Sequence, residues 1–469
     1  SADIKSSMSD MWGLFIDSHE NLWVGSVYRG NGIDQINTKT KKATNTVPKS
    51  AKDGRGTALW SVREDGEGRI WGRTMYDLFV TDVKKKNMVS AWDRSNVTPD
   101  DTGPINTFML DHDNKFWIFS EKKTWWVNFK GDSIIWTDAA KENKNLKDAI
   151  NIENPAESKN KEFFIFKKAW NESLGITNQL LKVRCRDFKV DTVYDHSTAE
   201  KKISGFGSTT HIYEAKDGAF WITTYGEGVT KIDLSSGNLT RYGAKAGIPN
   251  SYIYAIYEDN AGDMWMPSNY GILKLNPKTE DFRQFGMADG IQNFEYNAES
   301  HAQDKEGMLY FGGLSGLNYF NPNTLKDNPN KPTVIIESFS KTDSIFSLHK
   351  SDNSEEIYNV YYDEKDLSFN FASIDYRDPS RNEHAYMMEG YDEHWTYSST
   401  RRYASYTNLP PGNYTFKVKG SNNDGVWNEE GASLKIRILP APWETVWAYM
   451  LYFATTGFGV LGYVKRQRR

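Results

Sequence analysis

A chain of 469 residues exceeds one ordinary domain, and 16 Trp, 26 Tyr and 24 Phe give it an aromatic content typical of β-rich folds or of surfaces that face carbohydrate. A net charge of −5 with both signs mixed throughout leaves no basic footprint for nucleic acid. The single cysteine, Cys185, excludes an intramolecular disulfide and the usual cysteine-based zinc sites, and reads as a small buried apolar residue. Ser1 to Lys5 lack the basic start and apolar stretch of a secretory signal, so the sequence is expected to be a mature form or a fragment.

From residue 14 one pattern recurs: apolar-x-x-apolar, an Asp with a polar or Gly turn, then an aromatic followed by an apolar and a small residue. Copies run from Leu14 to Gly25, Val62 to Gly72, Leu110 to Ile118, Ala215 to Ile222, Glu258 to Met266 and Asp304 to Gly312. The marker aromatics Trp23, Trp71, Trp117, Trp221, Trp265 and Tyr310 stand 48, 46, 104, 44 and 45 positions apart. The gap of 104 holds two periods, and Asn160 to Phe166 fills it with Phe164 in the marker place. Helical repeats would show apolar spacings of three and four, which are absent. Seven copies of four short strands predict an all-β fold, a seven-bladed β-propeller over residues 1–330, with a distorted fourth blade around the enlarged loop from Lys167 to Leu181. The marker Trp is expected to pack blade on blade.

In a propeller the loops that enter the innermost strand and those between second and third strands converge on one face. The repeat register puts Trp12, Trp60, His211, Tyr252, Glu295 and Asn297 in the first set and Arg29, Arg73, Tyr225 and Tyr270 in the second. Aromatics that stack on sugar faces, beside Arg, Asn and Glu for hydroxyls or acidic groups, suit an oligosaccharide. The same residues suit a propeller–propeller or dimer contact equally well. No metalloprotease, Gly-x-Ser-x-Gly, P-loop or EF-hand pattern occurs, so no catalytic residue, metal ligand or cofactor is expected in this portion. A carboxylate pair brought together over the channel is the remaining route to an enzyme.

After Asn330-Lys331-Pro332-Thr333 the period stops and alternating strands such as Leu367 to Ala372 and Asn413 to Gly420 predict an immunoglobulin-like β-sandwich over residues 331–440, its tyrosines serving as core and corner residues. Leu439 to Trp443 carries two prolines and reads as a stiff strut. Val446 to Val464 holds 19 residues without a charge, flanked by Trp443 and Trp447 and by Lys465 to Arg469. It is expected to form a single transmembrane helix (444–464) in the cytoplasmic (inner) membrane, with residues 1–440 periplasmic and 465–469 starting the cytoplasmic segment.

Asp217 to Thr224, Tyr270 to Thr279 and Gly312 to Pro322 resemble the two-component regulator propeller repeats. Tyr386 to Trp395, Arg402 to Tyr414 and Asn422 to Trp427 resemble the triple-tyrosine domain that follows such propellers in hybrid two-component receptors of the Bacteroidetes. Together the resemblance covers nearly the whole chain. It implies the periplasmic sensor region of a homodimeric receptor that detects a glycan-derived oligosaccharide and regulates polysaccharide-utilisation genes. A histidine kinase would then lie beyond Arg469. A non-signalling surface glycan-binding protein is the alternative reading, and a propeller lyase or hydrolase a third.

Overall fold

The computed structural model describes residues 10–26, 32–48, 59–74, 77–82, 87–169, 178–199, 203, 206–243, 248, 252–341, 344–350, 356–364 and 366–468. They form two compact units, Ser1–Leu325 and Lys326–Arg469.

In the first unit, seven antiparallel sheets follow one another among the described residues, spanning 14–46, 61–90, 105–138, 152–195, 209–242, 257–285 and 296–320. Six have four strands in simple meander order and the last has three. The ring closes between the last sheet and the chain start: Met11 N donates to Gly313 O at 3.1 Å, and Asn297 Nδ2 donates to Asp10 Oδ1 at 2.8 Å and to Met11 O at 2.9 Å. The propeller-like arrangement follows from the repeat. Trp71, Trp117, Trp221 and Trp265 are all buried, each among the apolar residues of its own sheet or its neighbour, as expected of marker residues.

The turn before each marker strand explains the recurring Asp. Asp17, Asp65, Asp111 and Asp259 each use one carboxylate oxygen to accept two backbone N–H groups of the turn and the other to accept the indole Nε1 of Trp23, Trp71, Trp117 and Trp265 at 2.7–2.9 Å. The third residue after the Asp sits at positive φ, which Gly68, Gly262 and Gly307 adopt freely and Glu20, Asn114 and Lys161 adopt at a cost. In the fourth copy Ser158 replaces the Asp and Phe164, which has no N–H to give, replaces the Trp, so the exchange is self-consistent.

A second recurring bond ties neighbouring sheets. The Glu ending an innermost strand accepts from the turn of the preceding sheet: Glu64 from Ser18, Glu157 from His112, Glu214 from Lys159 and Glu258 from Lys216.

The second unit is a β-sandwich of two sheets, four and five strands, around Phe339, Phe369, Phe371, Met388, Phe416 and Leu434. Phe369 and Phe416 stack across the two sheets at 4.0 Å. The tyrosines divide. Tyr406 and Tyr414 are buried and held, Tyr406 OH donating to Asp392 Oδ2 at 2.6 Å and Tyr414 OH to Pro410 O at 2.9 Å, whereas Tyr391 and Tyr403 are exposed. The expected strut is anchored to the sandwich, with Leu439 N donating to Val360 O at 2.9 Å and Trp443 edge-on to Tyr362 at 5.0 Å.

One continuous helix, Val446–Gln467, follows, capped by Thr445. The expectation of a membrane span is corrected here: among the described residues no helix is long and apolar enough to cross a membrane. Tyr449, Tyr452, Tyr463, Thr455, Thr456 and three glycines dilute the apolar stretch that its lack of charge suggested.

Candidate functional site

The innermost strands of all seven sheets line one central cavity of about 790 Å³, with Phe15, Arg63, Thr107, Glu153, His211, Tyr257 and His301 as one representative from each. The repeat puts three of them there. Phe15, Arg63 and Tyr257 stand two residues before their turn Asp, so the strand's alternation sends one face to the sheet packing and the other to the channel.

Deep in the channel the rings of His211 and His301 lie 4.6 Å apart, with Tyr257 5.5 Å from the first and 5.7 Å from the second. Tyr257 OH and His301 Nδ1 are hydrogen-bonded at 2.7 Å, and His211 Nδ1 accepts from Ile256 N at 3.3 Å, which leaves the proton of a neutral His211 on Nε2. Burial, helped by the nearby Arg63 guanidinium, pushes His211 down to about 4 and holds His301 well below its ordinary value, the latter also because His211 adjoins it. Both are neutral at physiological pH. Burial also raises the Tyr257 hydroxyl and lowers Arg63, which Glu299 partly offsets.

Toward the mouth, Arg73 Nη2 pairs with Glu299 Oε1 at 2.8 Å, joining the second sheet to the last. Arg63 donates to Val62 O at 2.7 Å and lies 5.6 Å from the centre of the Phe15 ring. Trp12 and Trp60 approach each other at 6.4 Å, both half-buried. Lys167 Nζ is tied to Glu153 Oε2 at 2.7 Å and to Gly207 O at 2.9 Å. The cavity therefore offers indole and phenol faces, two guanidinium groups, two carboxylates and neutral imidazoles within one enclosure.

Of the residues expected at a ligand face, Trp12, Trp60, Arg73, His211 and Tyr225 are brought together here. Tyr252 and Tyr270 do not line the cavity: Tyr252 packs edge-on against Tyr225 at 6.2 Å and Tyr270 stacks on Phe294 at 5.0 Å, each about half exposed. Glu295 is exposed and also outside the lining. Asn297 is buried and spends its amide on ring closure, so it is a fold residue. Arg29 lies outside the described residues. The residues that sequence reasoning missed, Arg63, Tyr257, Glu299 and His301, belong to the innermost strands themselves, whereas the expectation looked to the loops.

Comparison with known proteins agrees with this architecture. The family described as "Two component regulator propeller" matches residues 247–266, and the "Y_Y_Y domain" matches residues 375–439. A curated relative, "Histidine kinase P4" of Formosa agariphila, is 32% identical over 225 residues, which is 46% of this chain and 16% of the kinase. The chain thus spans a small part of that relative. A crystal structure described as the extracellular domain of a hybrid two-component system from B. thetaiotaomicron superposes with a TM-score of 0.72 at 20% identity, covering 94% of this chain and 57% of that one. A match to the regulator propeller family thus precedes the match to the Y_Y_Y domain, in the order that the resemblance implied.

Proposed function

We propose that this chain, built from regulator propeller repeats and a Y_Y_Y domain, is the extracytoplasmic sensor portion of a homodimeric two-component receptor of the histidine kinase type. It detects a glycan-derived oligosaccharide in the channel of a seven-bladed propeller and passes the signal through the sandwich to control polysaccharide-utilisation genes.

The observation that carries the reading is the cavity of about 790 Å³ that Trp12 and Trp60 share with Arg63 and the Arg73–Glu299 pair. Small-ligand sites occupy roughly 300–1,000 Å³ and combine apolar walls with a few fixed polar groups. Aromatic faces beside fixed donors and acceptors match a sugar, which is apolar on its ring face and polar at its rim. The kinship to a histidine kinase and the likeness in fold to a hybrid-system extracellular domain support the receptor part of the reading.

Titration calorimetry of the chain against a panel of neutral and acidic oligosaccharides tests this. One class should bind without being changed. Release of shortened or unsaturated products, abolished by Glu299→Gln or His301→Ala, would instead make the channel an enzyme's active site.

A further inference from the structure

We propose that His112, Glu157 and Cys185 form a binding site for a transition-metal dication, Zn²⁺ being the best match, at the outer seam between the third and fourth sheets. The three side chains come from three separate places: the turn after Leu110, the end of the strand Ile152–Glu157, and the turn after Arg184. Their ligand atoms nonetheless all lie within 4.8 Å of one another.

The repeat explains one part of this arrangement and leaves the rest over. Glu157 is the seam glutamate, and His112 N donates to it at 3.4 Å as Ser18, Lys159 and Lys216 donate to their own seam glutamates. That bond uses only a backbone N–H, so any residue could stand at 112. Here it is a His whose Nδ1 also reaches Glu157 Oε1, and the sole cysteine of 469 residues faces the same pair. Neither the imidazole nor the thiol is needed for the seam.

The donor set selects the metal. One nitrogen, one carboxylate oxygen and one sulfur, bound at about 2.0–2.3 Å, suit Zn²⁺ and disfavour Ca²⁺ and Mg²⁺, which take oxygen shells. The local field favours a cation, since Asp111 and Asp113 join Glu157 around the thiol. Of the four basic residues lining the adjoining cavity, Lys161, Lys182, Arg184 and Arg186, two are engaged elsewhere: Arg184 pairs with Asp187 at 2.9 Å and Lys182 lies over the Phe163 ring at 4.1 Å. The group opens on a cavity of about 540 Å³, so three protein ligands would leave a coordination position for water or a small anion. On binding, the metal replaces the thiol proton, which passes to buffer, and the hydrogen shared by His112 Nδ1 and Glu157 moves to Nε2 as the neutral ring ligates; no electron is transferred.

Co²⁺ is the probe that separates this site from incidental binding, because only a thiolate ligand adds a sulfur-to-cobalt charge-transfer band to the visible bands. The full chain, stripped of metal, is titrated with Co²⁺ and then with Zn²⁺ as competitor. The expected result is one Co²⁺ per chain with the charge-transfer band, displaced by one Zn²⁺, and a higher melting temperature with Zn²⁺. Cys185→Ser should lose the band and the Zn²⁺-induced shift. His112→Gln, which keeps the backbone N–H of the seam, should lose the shift while its far-ultraviolet dichroism matches the parent. No stoichiometric uptake, uptake without the band, or equal Zn²⁺ affinity in the parent and Cys185→Ser would each overturn the proposal.

Discussion

Trp117 donates its indole Nε1 to Asp111 Oδ2 at 2.7 Å, while Trp221, equally buried in the fifth sheet, has no acceptor for the same atom because Ala215 stands where the Asp would be. The two sites are otherwise equivalent in the repeat, which makes them a matched pair. Trp117→Phe removes a charge-assisted bond and leaves a buried carboxylate oxygen short of a donor, whereas Trp221→Phe removes a group already without a partner. Chemical denaturation should show Trp117→Phe more destabilising than Trp221→Phe by about 1–2 kcal/mol. Equal losses would mean that the Asp serves the turn alone.

Lys161 occupies at φ +59 the left-handed position that Gly68, Gly262 and Gly307 hold in other copies. A non-glycine residue there costs roughly 1–2 kcal/mol, offset in part by the extra freedom that a glycine has in the unfolded chain. Lys161→Gly should therefore stabilise the first unit by about 0.5–1 kcal/mol, seen as a higher denaturation midpoint with an unchanged slope.

Acidification should weaken both units. His211 and His384 are each pushed down to about 4 by burial, and His301 also lies well below 6.5. Their unfolded forms take up protons first, so the stability that these neutral histidines contribute is complete above about pH 6.5 and is lost as pH falls toward 4. Each can contribute a slope of at most about 1.4 kcal/mol per pH unit. Two lie in the first unit and one in the second, so calorimetric scans between pH 7 and 4.5 should show the steeper decline in the propeller transition. His211→Asn should flatten that decline.

The strut after the sandwich is fixed by Leu439 N on Val360 O and by Trp443 against Tyr362. In the proposed receptor a ligand acts only by its differential affinity for the two states, and the sandwich and this strut are the proposed route of the displacement. Replacing Pro440 and Pro442 with Gly should leave ligand affinity unchanged and weaken the cellular response at equal expression. A full response from that variant would show that stiffness here is immaterial.

The fold was largely legible because its signal is repeated. Seven marker positions about 45 residues apart survive the loss of any one, and Phe164 could be placed by spacing alone before the Ser158 exchange explained it. The channel was legible where loops lead into it and at His211. Trp12 and Trp60 precede innermost strands, where loop reasoning looks, but Arg63, Tyr257 and His301 sit inside strands whose outward alternation also describes an ordinary exposed face. Part of the clue lay in the register, in the position two before the turn residue, which holds Phe15, Arg63, Met109, Tyr213 and Tyr257 in five copies and Ala156 and Ala302 in the other two. Asn297 misled because ring closure joins residues 287 apart, a constraint that no local pattern carries. The C-terminal helix misled because absence of charge is weaker evidence than apolarity, and its tyrosines, threonines and glycines supply too little of the latter.

The central claim is that ligand sits in the channel rather than on the exposed tyrosine rim, and calorimetry on three variants with the oligosaccharide that binds the parent tests it most directly. Arg63→Gln and Trp60→Ala, each with an unchanged melting profile, should lower affinity about tenfold or more, the loss of one good charged or stacking contact, while Tyr270→Ala binds as the parent does. Parent-like binding by Arg63→Gln and Trp60→Ala together with loss of binding in Tyr270→Ala would contradict the account.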